Sequence, residues 1–461
     1  MRIVLAQAIR AIFLLAGLCL PVFAQPQRPD FSALDKVALA ELKERGAPGA
    51  AIAVIQDGQV VYAKGYGVAS IETGAPVTPE MLFRLGSTTK MFTAAAVVTL
   101  AAQGKLKLDE PLGNFVKDLH PALARATAHQ LLSQSAGLRD FAATVVSNDD
   151  AALGRQVRAW REDAFFTEPG RIYSYSSPGY WLAGFVAEEL GGKPYADVMD
   201  ELLFKPLGMS RTTLRPAMAM TYPLTAGHRA AGQGRAEVIR PAFNNVAMWP
   251  GGSIYSNVGE LARFVIALLD DGRLDGKQVL SPLVVEKLPA PHVALPGAPD
   301  AHYGYGLLSY RDRGVRVVTH GGASTGYGST IQLAPEHRFA VITLTNRSGE
   351  TLPQTRAKAL ELALPLKAPE PEAKPAPLPL SQAEMNNYTG IYSHAPQTWE
   401  VFVKEGKLYL KHEGAERPLT KIGPHTFSSG AGPLVFTPGA DGKAEHLFMG
   451  LYSARKAQDG K

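Results

Sequence analysis

Residues 51–64 read Ala-Ile-Ala-Val-Ile-Gln-Asp-Gly-Gln-Val-Val-Tyr-Ala-Lys: two β-prone runs, Ala51 to Ile55 and Val60 to Lys64, joined through Asp57-Gly58. Asp-Gly readily takes the positive-φ conformations of a tight turn, so this stretch predicts a β-hairpin. Far along the chain, Val315 to Thr319, Ser329 to Leu333 and Phe339 to Thr345 predict three more strands, with turns at Gly321-Gly322 and Pro335-Glu336. Helical patterns fill the space between: Lys90 to Gln103, Tyr180 to Leu190, Ala196 to Leu203 and Gly259 to Leu269. Strands at both ends with helices between them predict an α+β unit, an antiparallel sheet built from both chain ends and flanked by helices. The βαβ alternation of a Rossmann or barrel fold is missing.

This unit spans residues 30–364. Residues 365–379 hold six prolines, which favours an extended linker over 365–380. In residues 381–457, Val401 to Val403 and Lys407 to Lys411 flank Glu405-Gly406, while Leu434 to Thr437 and His446 to Tyr452 flank Asp441-Gly442. These runs predict a small C-terminal antiparallel β domain, a sheet or barrel. Its plain reading is a packing or solubility appendage; the sharper one is a lid over an active-site mouth or an oligomer contact.

At the other end, Arg2 and Arg10 precede an apolar run from Ala11 to Leu20, and Val22-Phe23-Ala24 fits a signal-peptidase site before Gln25. Residues 1–24 read as a signal peptide, and the product is expected to be periplasmic or secreted. The apolar run falls short of the ~20 residues that span a bilayer, so no stable membrane insertion is expected after cleavage. Cleavage would remove two arginines and no acids, lowering the net charge from +5 to +3. With no Lys/Arg stripe interleaved with aromatics, nucleic acid is not an expected partner. The one cysteine, Cys19, lies in the same segment, so any mature nucleophile is an oxygen or a nitrogen. A composition of 46% hydrophobic and 19% charged residues excludes wholesale disorder and a polytopic membrane protein. Scattered histidines without an H-E-x-x-H pair call for no metal, and nothing calls for a cofactor.

Ser87-Thr88-Thr89-Lys90 follows Gly86 and opens the stretch Met91 to Ala102, apolar nearly all round. A helix there is buried, with Ser87 at its N-terminus and Lys90 one turn on along the same face. The bland reading is a helix-capping serine and a solvated lysine. The chemical reading is a nucleophile beside its base, since a desolvated lysine held neutral can take a hydroxyl proton. Two further clusters stand out: Tyr173 to Tyr180, reading Y-S-Y-S-S-P-G-Y, and His320-Gly321-Gly322 at the end of a predicted strand.

With these residues the sequence resembles the serine β-lactamase and penicillin-binding superfamily, specifically the class C β-lactamase-like branch with family VIII carboxylesterases, D-aminopeptidases and DD-peptidases. Further blocks of that family occur in order across residues 30–364: Leu108 to Leu112, Ser135 to Leu138, Pro206 to Met209, Gly251-Gly252 with Ser256, Tyr303 to Gly306 and Leu344 to Asn346. The C-terminal Tyr388 to Tyr392 is similar to β-barrel appendages on some members. The resemblance implies a β-lactamase/transpeptidase-like fold with an all-helical subregion. It also implies Ser87 as nucleophile, Lys90 as base or proton relay, and Tyr175 as the second proton-transfer group. His320, Gly321 and Gly322 would stand where other members carry Lys-Thr-Gly, and the Ala323 N–H would join that of Ser87 in an oxyanion hole.

Two departures shape the expected substrate. Ser177 replaces the asparagine of Y-x-N, and His320 replaces a permanently charged lysine. Ser177 weakens the case for amide-bearing β-lactams or peptides, His320 tilts toward esters or small amides over efficient β-lactam hydrolysis, and the expected partner is a small-molecule or peptide substrate. A cell-wall DD-peptidase or a β-lactamase proper is the rival enzyme, and a silent peptidoglycan-fragment-binding protein the rival outside catalysis. Two lookalike motifs compete. Tyr255-Ser256-Asn257 matches Y-x-N letter for letter, and Gly322 to Gly326 matches the G-x-S-x-G elbow, which needs a helix after it. The sequence carries no signal for an oligomeric state.

Overall fold

The hairpin of residues 51–64 forms as β1 (Gly49–Gln56) and β2 (Gln59–Gly67), with Asp57 at φ 51° and Gly58 at φ 76° in the turn. This computed structural model describes residues 30–232, 235–370, 375–394, 396–430 and 432–457; the expected signal peptide and Cys19 lie outside the described residues. A short ladder joins β3 (Phe83–Arg84) to β4 (Tyr255–Ser256). The remaining strands of the large sheet are β5 (Val293–Leu295), β6 (Ala298–Tyr303), β7 (Leu308–Asp312), β8 (Val315–Ser324), β9 (Tyr327–Ala334) and β10 (Phe339–Thr345). Among the described residues they build an eight-stranded antiparallel sheet in the order β2-β1-β10-β9-β8-β7-β6-β5. The two chain ends meet at its centre, where Ala50 pairs with Thr345 and Gln56 with Phe339.

The helices that matter here are α1 (Ala33–Arg45), α2 (Thr89–Ala102), α3 (Ser177–Gly191), α4 (Val258–Leu269) and α5 (Pro353–Ala363). They explain why β1 reads as an unbroken apolar run. Ala50, Ile52 and Val54 pack with Leu34, Ala38 and Leu42 of α1 and Leu360 of α5. Ala51, Ala53 and Ile55 join the larger core around α2, α3 and α4 on the other face. A strand buried on both faces has no polar side to alternate with. Glu41, fully buried on α1, accepts hydrogen bonds from the backbone N–H groups of Gln354 (2.8 Å) and Thr355 (2.8 Å). Its carboxylate thereby caps α5, whose own preceding residue makes no side-chain cap.

One turn is displaced from its expected place. Gly321-Gly322 does not end a strand: β8 runs through both glycines to Ser324, and the chain reverses at Gly326, φ 89°. Gly322 serves a close backbone approach instead, while a Cβ on Gly321 would meet only ordinary contacts. Strands β5 to β7 add a second flank, in a region from which the sequence singles out only the block Tyr303 to Gly306.

Toward the far end of the proline-rich segment Leu378 N–H bonds the Lys421 carbonyl, and at the near end Lys367 N–H bonds the Arg313 carbonyl. The C-terminal strands are β11 (Gly390–His394), β12 (Gln397–Lys404), β13 (Lys407–His412), β14 (Ala415–Pro418), β15 (Thr420–Lys421), β16 (Thr426–Ser428), β17 (Pro433–Pro438), β18 (Ala444–Met449) and β19 (Tyr452–Lys456). Among the described residues they form one nine-stranded antiparallel sheet around Tyr392, Trp399, Leu410, Phe427 and Phe436. The run His446 to Tyr452, read as one strand, is broken by a turn at Gly450, φ 62°, between β18 and β19.

Candidate active site

β3 passes through one 3-10 turn, Gly86–Thr88, into α2, so Ser87 stands at the N-terminus of a helix that is buried along nearly its whole length. The turn is pressed against β8. A Cβ on Gly86 (φ 59°) would lie 2.6–2.8 Å from the backbone atoms of Ala323, and one on Gly322 would lie 2.0 Å from the Leu85 carbonyl oxygen. No side chain fits at either position, and this is what the glycine of His320-Gly321-Gly322 is for. Ser329 of β9 secures the contact, donating to the Leu85 carbonyl at 2.5 Å and sharing a 2.9 Å hydrogen bond with Thr88. β7 pairs with β8 only as far as Thr319, so Ala323 has a strand neighbour on the β9 side alone. Ser87 and Ala323 both line an open cleft of about 630 Å³, with Ser177, Trp181, Phe243 and Arg84 among its other walls.

Lys90, one turn into α2, is fully buried. Its Nζ donates to the Gly251 carbonyl at 2.7 Å, to Ser87 Oγ at 3.2 Å and to Ser177 Oγ at 3.4 Å, which uses its three donors. The Tyr175 and Tyr180 rings lie 4.8 and 5.6 Å from the same nitrogen. Loss of water pulls its pKa from 10.5 down to about 7, against the opposing pull of the Asp140 carboxylate. Near neutral pH a large share of Lys90 is therefore the free amine, with a lone pair to accept the Ser87 proton.

Tyr175 is buried, with its hydroxyl turned toward Ser87. Burial raises its pKa well above the phenol value, so it stays protonated and holds a proton ready to give. Ser176 caps α3 through its side chain, which accepts from the Gly179 N–H at 3.1 Å, and this fixes Ser177 at the first turn of that helix.

His320 sits beside Tyr175, ring centroids 6.2 Å apart, but it carries no charge there. Burial, reinforced by the Lys90 ammonium, lowers its pKa to about 3. Its Nε2 meets the Tyr303 hydroxyl at 2.9 Å and its Nδ1 the Gly321 carbonyl at 2.6 Å, which sets the tautomer: Nδ1 donates and Nε2 accepts. The expectation of a histidine that becomes cationic on protonation therefore meets a neutral imidazole at ordinary pH.

The structure thus brings Ser87, Lys90, Tyr175, Ser177, His320, Gly321, Gly322 and Ala323 to one place. Neither lookalike has the setting that its motif needs. Tyr255 and Ser256 form β4 beside β3, and Asn257 caps α4 by accepting from the Glu260 N–H at 2.9 Å. Gly322 to Gly326 ends β8 and leads into β9, with no helix after it. Sequence reading missed Asp140, a lone acid whose Oδ1 accepts the Ser177 N–H at 2.8 Å. No spacing rule links it to the serine. It also missed the buried Arg84, which donates to the Phe243 carbonyl (2.6 Å) and Ser253 Oγ (2.9 Å).

The model of the Beta-lactamase family matches residues 34–364. Penicillin-binding protein 4 of Amycolatopsis lactamdurans is 31% identical over 321 residues, 66% of this chain and 82% of that protein. D-aminopeptidase of Gluconobacter oxydans is 29% identical over 329 residues, 68% of this chain and 59% of that one. Protein flp of Staphylococcus aureus strain N315 is 25% identical over 334 residues, 70% of this chain, and the match spans only 64% of flp. Among solved structures, SurE superposes with a TM-score of 0.76 at 26% identity, over 93% of this chain and 99% of that one. With an antiparallel sheet closed by both chain ends and a family match along nearly the whole main unit, the chain belongs to the Beta-lactamase family of serine hydrolases.

Proposed function

We propose that the chain is an exported hydrolase of the class C β-lactamase-like type that cleaves an ester or amide bond through a Ser87 acyl-enzyme. The observation that carries the reading is the contact of Lys90 Nζ with Ser87 Oγ, 3.2 Å, in an environment that holds the amine near neutrality. In the first step the lone pair of Lys90 takes the Ser87 hydroxyl proton as Oγ bonds to the substrate carbonyl carbon. The negative charge on the carbonyl oxygen is met by the N–H groups of Ser87 and Ala323. As the tetrahedral intermediate collapses, the bond to the leaving alcohol or amine breaks. Tyr175 gives its proton to that group and is reprotonated from Lys90. Water then repeats the sequence on the acyl-enzyme, releasing the acid and restoring Ser87.

The substrate reading rests on the neutral His320 and on Ser177 in place of an amide side chain. Neither offers the fixed charge or the amide contact that would select a carboxylated acylamide, which favours a small ester, a simple amide or a short peptide. The likeness to a D-aminopeptidase supports the peptide end of that range. The likeness to a penicillin-binding protein supports the rival reading as a DD-peptidase or β-lactamase. A p-nitrophenyl ester and a fluorescent penicillin, each with wild type and Ser87→Ala, separate these. Ester turnover lost in Ser87→Ala supports the hydrolase. Turnover and covalent label both surviving the substitution would overturn the site, and neither appearing in wild type would favour a binding protein. Export is checked by sequencing the N-terminus of the mature product, expected at Gln25.

A further inference from the structure

We propose that the C-terminal β unit is part of the active site, with Asp140 and Tyr452 as positioning residues that hold the Tyr175 segment and Lys90 in working order. The inference rests on the Ser87 hydrolase reading. It starts from the turn that divides β18 from β19. The carbonyl of Leu451 in that turn accepts the backbone N–H of Tyr175 at 2.9 Å. The next residue, Tyr452, packs its ring edge-on against Tyr175, centroids 6.4 Å apart, and donates its hydroxyl to Asp140 Oδ2 at 3.1 Å.

Asp140 is where the two units and the start of α3 meet. Its Oδ1 takes the Ser177 N–H, and its own N–H donates to Nε2 of His394 on β11 at 2.9 Å. His394 is held in turn, Nδ1 to the Ser453 carbonyl at 2.8 Å, while Ser453 bonds Ser174 Oγ and the Tyr173 carbonyl at 3.1 and 2.7 Å. The segment Tyr173 to Ser177 has no strand or helix of its own before α3 begins. From across the domain seam come the partners of the Tyr175 N–H and the Tyr173 carbonyl, while the N–H groups of Ser174, Ser176 and Ser177 bond Gln134 and Asp140 of the main unit. An appendage that merely packed would not place its hydrogen bonds on the residue that carries the leaving-group proton.

Charge completes the argument. Lys90 faces the Tyr175 and Tyr180 rings, the neutral His320 of β8 and the field of Asp140, the one carboxylate among these. Asp140 faces Tyr452 and His394; its neighbour Arg139 spends its Nε on the Asp163 carbonyl at 3.1 Å. Asp140 therefore biases Lys90 toward its protonated form, and Tyr452 holds that carboxylate in place.

The test uses the full chain with Asp140→Asn, Tyr452→Phe, the double variant and Arg171→Ala as control. Arg171→Ala removes the exposed 3.0 Å Arg171–Glu445 pair between the same two units. Asp140→Asn should move the acid limb of kcat/KM down by about one pH unit. Tyr452→Phe should lower kcat about tenfold with KM changed less than twofold. The double variant should be no worse than Asp140→Asn alone, and Arg171→Ala should match wild type. Hydrogen exchange at the Tyr175 amide should quicken in Tyr452→Phe and stay at the wild-type rate in Arg171→Ala. An unmoved acid limb, wild-type kcat in Tyr452→Phe, or unchanged exchange at Tyr175 would each overturn the proposal. A wild type without Ser87-dependent turnover would sink the hydrolase reading instead, and the exchange measurement would still decide whether Tyr452 holds the Tyr175 segment.

Discussion

Replacing Lys90 by methionine should stabilise the protein while abolishing turnover, and the gain should shrink as pH rises. In the unfolded chain Lys90 titrates at its ordinary 10.5; in the fold it titrates at about 7. Between these values the unfolded chain holds a proton that the folded one has released, so stability climbs with pH across that window. Below pH 7 both states are protonated and the full penalty of burying an ammonium applies. At about 1.4 kcal/mol per tenfold change in protonation, burial of Lys90 withholds about 4 kcal/mol at pH 7 and about 2 at pH 9. Methionine is close in volume and keeps the packing against Tyr175 and Tyr180. Urea unfolding of Lys90→Met and wild type at pH 7, 8 and 9 should therefore show the variant ahead by a margin that narrows by about 2 kcal/mol over the series. A margin that does not change with pH would refute a lysine held near neutrality by burial. Greater stability in wild type throughout would refute the idea that catalysis here is bought with stability.

Gly322→Ala should cost at least about a hundredfold in kcat, because a Cβ 2.0 Å from the Leu85 carbonyl must push β8 away from Ser87; steady-state kinetics on a refolded, monodisperse sample checks it. Glu41→Ala should lower stability by about 3 kcal/mol by leaving the Gln354 and Thr355 N–H groups uncapped, read by denaturant unfolding, with Glu41→Gln recovering part of the loss. His320→Gln should leave the midpoint of the acid limb where it is, since an imidazole whose pKa is about 3 contributes no titration between pH 5 and 8; a limb displaced by half a pH unit would show that His320 ionises there.

The sheet was legible because its strands announce themselves. Asp57-Gly58 fixes one hairpin, and β1 and β10 are largely apolar on both faces. Ser87 to Lys90 was legible because helical spacing alone puts the two side chains on one face of a stretch too apolar to be exposed. Gly321-Gly322 misled for a physical reason: glycine marks either a turn or a close approach, and only the position of Leu85 and Gly86 tells which. The run His446 to Tyr452 misled likewise, since the β-prone residues on either side of Gly450 hide the reversal. Asp140 and Tyr452 stand hundreds of residues apart and share no motif, so their meeting at the start of α3 is a fact of docking that local pattern does not carry.

The pairing of Ala50 with Thr345 has a kinetic consequence. The β1–β2 hairpin can form as soon as it is made, yet the inner edge of β1 has no partner until the chain has been extended past β10. Until then it presents an apolar strand with open N–H and C=O groups, which other chains can pair with as readily as β10 does. Closure across so long a loop is slow, and the helices that cover both faces have no sheet to cover before it happens. Refolding yield should therefore fall steeply with protein concentration, and a nascent chain should stay unfolded until its last strand of the main unit has been made.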